Sequence, residues 1–348
     1  MPKGVRLSHG NILSNIEGMQ MIFHIYADDN VCGVLPFFHS FGLTCSLWLP
    51  IVSGVSVVYC ADPLNGKQVG KMARENGATL LFAVPSFLLN YLRRAEVDDF
   101  RSLRFVVAGA EKLREKAAAE FEEKFGIRPF EGYGATELSP VATLNLPNVH
   151  DEKGGQVGAK EGAIGHPLPG VAVKIVDPET YEPLVLGEQG RLLVKGPNVM
   201  LGYLDMEEKT AEVIRDGWYD TGDVAKMDKD GFLTLTDRLS RFSKISGEMV
   251  PHIKLEEIYM DGLGSEERVV AVTSVVNEQR GEDLVVIYDQ SKVSAEQLGE
   301  IMSRADVPNL WKPKPGNYFA AGSIPVLGSG KINVGEVRKI AAEKKAAQ

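Results

Sequence analysis

A short glycine-rich stretch near the middle of the chain carries three side chains suited to one kind of ligand. Residues 132–137 read Gly-Tyr-Gly-Ala-Thr-Glu. Tyr133 offers a flat ring for stacking, Thr136 a hydroxyl that can donate to a phosphoryl oxygen, and Glu137 a carboxylate suited to Mg²⁺. Together these groups would serve a bound nucleotide. The alternative is a plain glycine-rich turn, in which Tyr133 packs into the protein and Glu137 caps the next segment.

Two more polar stretches offer groups for a ligand that carries sugar and phosphate. Asp223 follows a glycine on a predicted turn, where its carboxylate can accept hydrogen bonds from paired sugar hydroxyls or simply close an Asx-type turn. Lys331 ends the loop Gly328-Ser329-Gly330-Lys331. A lysine beside glycines can be delivered as a point charge to anionic oxygens, and a solvated loop lysine is the alternative.

The chain opens within what looks like a phosphate-binding loop. Pro2-Lys3-Gly4-Val5, followed by a polar stretch and a predicted helix, has the form of the second half of such a loop. The glycine- and hydroxyl-rich first half, whose backbone N–H groups would hold phosphate, does not precede it. Either the chain was cut within the motif or the natural polypeptide has lost the rest. We expect weakened ATP binding in both cases, with AMP or adenylate binding retained.

Composition limits what these groups can belong to. A chain of 348 residues suits two or three compact units, and 44% hydrophobic with 24% charged residues is ordinary for globular protein. The net charge of −9 argues against a nucleic-acid binder, which needs a clustered basic surface. Cys32, Cys45 and Cys60 are too widely spaced for a metal knuckle, so we expect buried free thiols in a reducing cytosol.

One stretch could be mistaken for a membrane span, because residues 41–60 contain no charged side chain. Serine, proline and glycine interrupt it, and a new strand pattern starts near its end, so we predict a buried helix followed by a strand. No signal peptide is visible at the N-terminus. The sequence thus predicts a cytoplasmic chain without a transmembrane segment, and leaves open a membrane tether elsewhere in the full-length protein.

Residues 12–137 alternate between helical and strand periods, which predicts a mostly parallel sheet covered by helices. Such sheets bind ligands at the carboxyl ends of their strands. Gly109-Ala110-Glu111 and residues 132–137 both follow predicted strands, so we expect the two loops to meet in one crevice. The predicted helices are 11–23, 43–52, 66–75, 85–94 and 111–125, and the predicted strands are 55–59, 79–84 and 104–108.

Two changes of pattern divide the rest of the chain. Short strands and turn clusters from residue 150 onward favour a small β-barrel or meander. After a polar, basic joint, strands and helices favour a separate α+β domain. We therefore predict a partial α/β subdomain at 1–149, a β-barrel subdomain at 150–238, and a mobile C-terminal α+β domain at 239–348 with a hinge near Leu239 and Ser240.

The order of these stretches resembles the adenylate-forming (AMP-binding) superfamily. The resemblance covers nearly the whole chain. Three longer stretches, at 131–140, 196–204 and 238–250, are similar to the synthetase portion of 2-acylglycerophosphoethanolamine acyltransferase / acyl-[acyl-carrier-protein] synthetases. The motifs that carry the family resemblance are Pro2-Lys3-Gly4-Val5, Gly109-Ala110-Glu111, Tyr133-Gly134-Ala135-Thr136-Glu137, Tyr219-Asp220-Thr221-Gly222-Asp223, Asp237-Arg238 and Gly328-Ser329-Gly330-Lys331.

The resemblance implies a ligase that forms an acyl-adenylate from a fatty acid and ATP with Mg²⁺, then passes the acyl group to a pantetheine thiol of acyl carrier protein or CoA. It implies a hinge at Ser240 that swings Lys331 away for the second step. The implied site residues are Lys331, Lys244 and His39 for catalysis, Lys3, Gly109, Ala110, Glu111, Tyr133, Gly134, Thr136, Asp223, Arg238 and Gly247 for nucleotide and acceptor binding, and Glu137 for the metal.

Two points remain open at this stage. The acyl pocket is expected to draw on residues 37–42, where the family places a histidine at His39 near the carboxylate; a core histidine is the alternative. Arg241 stands where the family carries an acidic residue, and with Arg238 and Lys244 it would form a basic cluster for an acidic carrier protein or the phosphates of CoA. A CoA ligase for a fatty or aryl acid and a catalytically silent AMP- or carrier-binding module are the other readings.

Overall fold

The computed structural model describes residues 3–151, 154–238, 241–246, 248–265, 268–277, 279–326 and 332–346. Within these ranges the helices are α1 (His9–Ile22), α2 (Ser40–Gly42), α3 (Leu49–Ser53), α4 (Gly66–Glu75), α5 (Pro85–Arg94), α6 (Glu115–Phe125), α7 (Glu207–Val213), α8 (His252–Leu263), α9 (Ala295–Arg304) and α10 (Val334–Ala346). The strands are β1 (Val5–Arg6), β2 (Asn30–Gly33), β3 (Ser56–Tyr59), β4 (Leu80–Ala83), β5 (Phe105–Ala108), β6 (Pro129–Gly134), β7 (Val141–Leu144), β8 (Val149–Asp151), β9 (Gly154–Gln156), β10 (His166–Pro167), β11 (Ala172–Val176), β12 (Gln189–Lys195), β13 (Gly202–Tyr203), β14 (Ile214–Arg215), β15 (Trp218–Met227), β16 (Leu233–Arg238), β17 (Phe242–Ile245), β18 (Glu248–Pro251), β19 (Val270–Asn277), β20 (Gly281–Asp289) and β21 (Tyr318–Ala321).

These elements form two compact units. The first is Met1–Thr221 with Ala225–Leu235, and the second is Gly222–Val224 with Thr236–Gln348. The expected hinge residues, Leu239 and Ser240, lie outside the described residues. The three-part division and the hinge therefore stay predictions.

A seven-stranded sheet organises the first unit, in the order β10-β7-β6-β5-β4-β2-β3. Five neighbouring strands, β3, β2, β4, β5 and β6, pair in parallel. Strands β7 and β10 extend the sheet beyond β6 with antiparallel pairing. The predicted mostly parallel sheet is confirmed. Since parallel strands all point the same way, β5 and β6 end side by side at one edge.

Helices cover both faces of this sheet, because side chains alternate between the faces along each strand. Along β4, Leu81 packs with α4, α5 and α6, while Leu80 and Phe82 pack with α1 and the segment after α2. The three cysteines are buried free thiols, as predicted. Burial raises the pKa of Cys32 to about 12, so its thiol stays protonated.

Local signals explain where the predicted helices were right and where they were wrong. Helices α4 and α5 have the predicted bounds; the side chain of Asn65 caps α4, and Pro85 stands in the first turn of α5. The predicted helix 43–52 is helical along its whole length, but its first part, Leu43–Trp48, is a π-helix and only its last part belongs to α3. Pro50 has no N–H to donate to the carbonyl of Ser46, which accepts the Tyr59 hydroxyl at 2.9 Å.

The uncharged stretch at 41–60 therefore forms helical segments that end at Ser53, followed by strand β3, as the sequence predicted. Among the described residues no helix has both the length and the apolar character needed to cross a bilayer. A sheet in the order β11-β12-β15-β14, with β16 paired to β15, fills the region predicted as a barrel or meander; β11–β12 and β14–β15 pair antiparallel.

The second unit contains an α+β domain, as predicted. Its sheet has the order β18-β17-β20-β19, and β21 pairs with β20 in parallel. Alternate residues of β19 separate two cores: Val270 and Val272 pack with α8 and α9, and Ala271 packs with α10. The chain therefore has the predicted class, an α/β sheet followed by a smaller antiparallel sheet and an α+β domain.

Candidate functional site

The two predicted loops meet where β5 and β6 end. A Cβ atom placed on Gly109 would lie 3.2 Å from the Phe41 ring and 3.6 Å from the carbonyl oxygen of Gly132. Ala110, the next residue, has a left-handed backbone with a φ of 67°. Such strain in a residue other than glycine is typical of functional loops. The two loops therefore lie side by side where β5 and β6 end, and a crevice between them stays a prediction.

Gly134 lets the chain fold back sharply after β6. The N–H of Ala135 donates to the carbonyl of Pro140 at 2.9 Å, and a Cβ on Gly134 would lie only 1.9 Å from that carbonyl oxygen. A larger residue cannot fit there. The resulting short 3-10 turn, Thr136–Leu138, presents Thr136 and Glu137 at the strand end.

Thr136 is exposed, and a second hydroxyl lies beside it. The hydroxyls of Ser40 and Thr136 are 3.1 Å apart. Ser40 begins α2 and is buried. Nearby, the Thr44 hydroxyl donates to the carbonyl of Ser139 at 3.0 Å. The segment that holds the expected acyl-pocket residues is therefore tied to the turn that carries Thr136.

Glu137 lies in a small polar cluster. The Tyr203 hydroxyl donates to Glu137 Oε1 at 2.8 Å and accepts from Lys3 Nζ at 2.8 Å. Lys3 Nζ is itself 3.8 Å from Glu137 Oε1. Burial raises the pKa of the Tyr203 hydroxyl, which therefore keeps its proton and can act as a donor.

Backbone pairing holds this cluster together. Strand β1 pairs with β13, with Val5 opposite Tyr203. The N–H of Leu204 donates to the carbonyl of Gly4 at 2.7 Å, and the N–H of Met200 donates to the carbonyl of Glu137 at 2.9 Å. The segment 200–204 thus connects the start of the chain to the turn after β6.

Two predicted site residues have local roles in the structure. The Glu111 carboxylate accepts from the Ser86 N–H at 3.2 Å and from its hydroxyl at 3.4 Å, at the start of α5. His39 Nδ1 accepts from the N–H of Phe41 at 3.2 Å, which leaves the ring proton of a neutral His39 on Nε2. His39 is exposed, so the alternative of a core histidine is wrong.

The aromatic residues expected to form the acyl pocket point in different directions. Phe41 is buried and meets Phe82 edge to face at 6.4 Å between ring centroids. Phe38 is 94% exposed, and Phe37 is partly exposed against Tyr59. Their part in an acyl pocket stays a prediction.

Several predicted residues belong to the second unit. Asp223 is buried within strand β15, so the expectation that it stands on a turn is wrong. Arg238 ends β16. Lys244 is exposed on β17, and its N–H donates to the Glu282 carboxylate at 2.6 Å. Gly247 and Lys331 lie outside the described residues, and the roles of all these residues remain untested.

The predicted basic cluster does not form as expected. Arg241 is 5% exposed, and its guanidinium pairs with Glu256, which is 8% exposed. The other Glu256 oxygen accepts from the N–H of Val272 at 2.7 Å. Arg241 is therefore a buried structural residue and cannot meet an acidic carrier protein at the surface.

The sequence analysis gave no individual role to Ser40, Tyr203 or Glu131, although each lies in a stretch that it named. Glu131 lies on β6 and borders a cavity of 340 Å³. Burial raises the pKa of Glu131 to about 7, although the N–H of Leu113 donates to its carboxylate at 3.1 Å. The only sequence signal for each was its stretch: Tyr203 lies within 196–204, Glu131 within 131–140 and Ser40 within 37–42.

Glu137 fits a single-carboxylate Mg²⁺ site. Both side-chain contacts described for it use Oε1, which leaves Oε2 for a cation. The described residues contain no cluster of three or more His, Cys, Asp or Glu side chains arranged for a metal. Mg²⁺ commonly binds one or two carboxylates together with substrate phosphates, so this set suits a metal that arrives with a nucleotide.

Comparison with known proteins gives consistent matches. Residues 1–204 match the family described as "AMP-binding enzyme". The chain is 34% identical over 345 residues to "Probable 4-coumarate--CoA ligase 3" of Dictyostelium discoideum, covering 95% of this chain and 59% of that protein. It is 32% identical over 340 residues to the "Long-chain-fatty-acid--CoA ligase" of Bacillus subtilis strain 168, covering 95% and 58%. A "Feruloyl-CoA synthase" of an Amycolatopsis species is 31% identical over 343 residues, covering 97% and 67%.

Solved structures agree on the fold. ATP-bound MatB from Rhodopseudomonas palustris superimposes with a TM-score of 0.77 at 28% identity, covering 97% of this chain and 65% of that one. MenE from Bacillus subtilis in complex with ATP and magnesium gives a TM-score of 0.80 at 24% identity, covering 97% and 67%, a likeness of fold alone. This chain spans a little under three fifths of the length of the first curated relatives it matches.

Proposed function

This chain belongs to the AMP-binding enzyme family, and from that membership we propose that it is part of an ATP-dependent acid–thiol ligase. In the first reaction a carboxylate oxygen attacks the α-phosphorus of ATP and expels pyrophosphate, giving an acyl-adenylate. In the second a pantetheine sulfur attacks the acyl carbon and expels AMP. The thiol proton leaves to solvent.

One observation carries this proposal. The turn after β6 presents the Thr136 hydroxyl and the Glu137 carboxylate side by side, with Lys3 3.8 Å from Glu137. A hydroxyl, a metal-binding carboxylate and an ammonium at the carboxyl end of a parallel sheet suit the phosphates of a nucleotide. Tyr133, the residue before Gly134 at the end of β6, would supply a ring for the base.

The first reaction joins two anions, so its barrier is largely electrostatic. In our proposal Lys331 bridges the carboxylate and the α-phosphate, while Lys3 binds on the pyrophosphate side. Thr136 donates to phosphate, and Glu137 holds Mg²⁺. When bound, Mg²⁺ would neutralise charge on the phosphate oxygens.

The remaining predicted residues place the base, the sugar and the acid. Tyr133, with Gly134 and the loop Gly109-Ala110-Glu111, would bind the adenine. The Asp223 carboxylate would accept hydrogen bonds from the ribose hydroxyls, and Arg238 would help to hold the ribose. His39 Nε2 would lie toward the carboxylate of the bound acid, since Nδ1 accepts from the backbone of α2.

The second reaction is proposed to use the C-terminal unit in a different orientation. A turn about Ser240 would withdraw Lys331 and bring Lys244 and Gly247 to the crevice, where a pantetheine arm passes. The support is the resemblance of residues 238–250 to the family, together with the exposure of Lys244.

For the finer assignment we propose a fatty acid as substrate and the pantetheine of acyl carrier protein as acceptor. The support is the similarity of residues 131–140, 196–204 and 238–250 to acyl-[acyl-carrier-protein] synthetases. The burial of Arg241 removes one argument for a carrier protein. The relatives named above favour CoA as the acceptor, and their names include ligases of fatty and of aryl acids.

Pyrophosphate exchange tests the first reaction. We expect a fatty acid to support exchange, and Glu137→Gln to reduce it by more than about 100-fold, because a cation ligand at the phosphates is lost. Glu123→Gln on the exposed face of α6 is the matched control and should leave exchange unchanged. Equal exchange by Glu137→Gln and the unmodified chain would contradict the assignment.

The same assay on a chain extended upstream distinguishes an enzyme with a truncated phosphate-binding loop from a catalytically silent binding module. Exchange that requires the extension would indicate that residues added before Met1 complete the phosphate-binding loop. AMP binding without exchange in either chain indicates a binding module. Thioester formation with CoA and with holo-carrier protein then identifies the acceptor.

A further inference from the structure

Tyr203 stands between two groups of opposite charge. Its hydroxyl donates to Glu137 Oε1 and accepts from Lys3 Nζ, each at 2.8 Å, while Lys3 Nζ lies 4.2 Å from the centre of the Tyr203 ring. The direct distance between Lys3 Nζ and Glu137 Oε1 is 3.8 Å. The ammonium and the carboxylate are thus close without forming a short ion pair.

The position of the Tyr203 hydroxyl is fixed by the rest of the residue. Tyr203 is 3% exposed and packs in the core of the first unit. Its backbone pairs with Val5, and its N–H donates to the Thr210 hydroxyl at 2.9 Å. The hydroxyl cannot follow Lys3 or Glu137 if either one moves.

We propose that Tyr203 is a positioning residue that keeps Glu137 and Lys3 apart. A divalent cation can then bind Glu137 while a polyphosphate binds Lys3. This inference rests on the proposed function. The fixed hydroxyl keeps its hydrogen bond to Glu137 when Lys3 turns toward phosphate. Glu137 therefore stays in the same orientation with and without Lys3 beside it.

The physical reason is a competition for the carboxylate. Without the hydroxyl, Lys3 can close the 3.8 Å gap to Glu137 and form a direct charge-assisted hydrogen bond. That bond places a positive charge against the carboxylate that the cation needs, and it holds the ammonium that the phosphates need. Loss of the tyrosine hydroxyl should then weaken cation binding, because Lys3 competes with the cation for Glu137. Removal of Lys3 should restore cation binding.

A double-mutant cycle tests this coupling. The variants are Tyr203→Phe, Lys3→Met and both together, and the probe is Mn²⁺ binding to the protein with saturating ATP, followed by electron paramagnetic resonance. We expect Tyr203→Phe to weaken Mn²⁺ binding by about 5- to 10-fold. The double variant should recover most of that loss, because the competing ammonium is absent.

AMP binding without a metal is measured alongside by calorimetry. AMP has no β- or γ-phosphate for Lys3, so its affinity should change less than about twofold in Tyr203→Phe. Tyr181→Phe, whose hydroxyl donates to Asp220 elsewhere in the same unit, is the matched control and should bind Mn²⁺ normally.

The outcomes separate this inference from the proposed function. Failure of the unmodified chain to bind AMP counts against the proposed function. If AMP binds, an unchanged Mn²⁺ affinity in Tyr203→Phe overturns the role of the hydroxyl. A loss that Lys3→Met does not recover overturns the competition with Lys3.

Discussion

The hydroxyl oxygens of Ser40 and Thr136 lie 3.1 Å apart, although the two residues are 96 positions apart in the chain. Ser40 is buried at the start of α2, whereas Thr136 is exposed at the end of β6. A buried hydroxyl with a fixed partner limits the rotation of that partner. Ser40 therefore restricts where the Thr136 hydroxyl can point.

Replacing Ser40 should weaken nucleotide binding through Thr136. We expect Ser40→Ala to reduce AMP affinity by about 3- to 10-fold, the range for one neutral hydrogen bond. Isothermal titration calorimetry with AMP measures it. Ser14→Ala is the control, because that hydroxyl bonds to the carbonyl of Asn11 within α1. Equal AMP affinity in Ser40→Ala and the unmodified chain would show that Thr136 needs no such restraint.

The buried pair of Arg241 and Glu256 changes the expected effect of mutating Arg241. Arg241→Met leaves a buried carboxylate without its charged partner, which costs about 3–5 kcal/mol of unfolding free energy. Trp311 is the one tryptophan of the second unit, so urea unfolding followed by its fluorescence, in a Trp48→Phe/Trp218→Phe background, measures this unit.

A second substitution provides the control for that measurement. Glu256→Gln added to Arg241→Met removes the unpaired charge but keeps an acceptor for the Val272 N–H, and it should recover most of the lost stability. If Arg241→Met unfolds like the unmodified unit, the pair contributes nothing. In that case slower acyl transfer by Arg241→Glu would indicate that Arg241 contacts a partner at the surface.

Sequence patterns identified elements wherever the signal is local. The bounds of α4 and α5 follow from a capping side chain and a proline in the first turn. The proximity of the two glycine-containing loops followed from their positions after neighbouring strands of a parallel sheet. By contrast, nothing within residues 43–52 shows that the Tyr59 hydroxyl will satisfy the carbonyl that Pro50 leaves without a donor.

Partners distant in sequence account for the other errors. Arg241 looked like a surface cation because its partner, Glu256, lies one strand pair and a helix turn further along the chain. Asp223 stands next to a glycine, yet the pairing of β15 extends through it. Tyr203 and Ser40 reach Glu137 and Thr136 through sheet and helix packing, which no local spacing encodes.

The raised pKa of Glu131 predicts that the first unit loses stability as pH rises. Burial raises this pKa from 4.5 to about 7, so the folded unit binds a proton more tightly than the unfolded chain. The unfolding free energy should fall between about pH 4.5 and pH 7 and level off above it. Glu131→Gln keeps an acceptor for the Leu113 N–H and removes this dependence.

We expect Glu131→Gln to stabilise the first unit at pH 8 by about 2–3 kcal/mol and to change little at pH 4.5. Urea unfolding in a Trp311→Phe background, where Trp48 and Trp218 report on the first unit, gives both values. A variant that is no more stable than the unmodified chain at pH 8 would mean that the Glu131 carboxylate ionises without cost.

His252 predicts the opposite pH dependence in the second unit. Burial, with Arg241 and Arg338 nearby, lowers the pKa of His252 from 6.5 to about 3. Below pH 6.5 the unfolded chain binds a proton that the folded unit does not, so stability present above that pH is lost as pH falls toward 3. The ring is held by the Ser243 hydroxyl, 2.6 Å from His252 Nε2.

Between pH 6.5 and pH 5 the loss should be roughly 1–2 kcal/mol, and His252→Gln should remove most of this slope because glutamine does not titrate. Trp311 fluorescence during urea unfolding at several pH values measures it. His9→Gln, at an exposed histidine of the first unit, should leave the slope unchanged. An identical slope in His252→Gln would mean that His252 binds its proton in the folded unit as readily as in the unfolded chain.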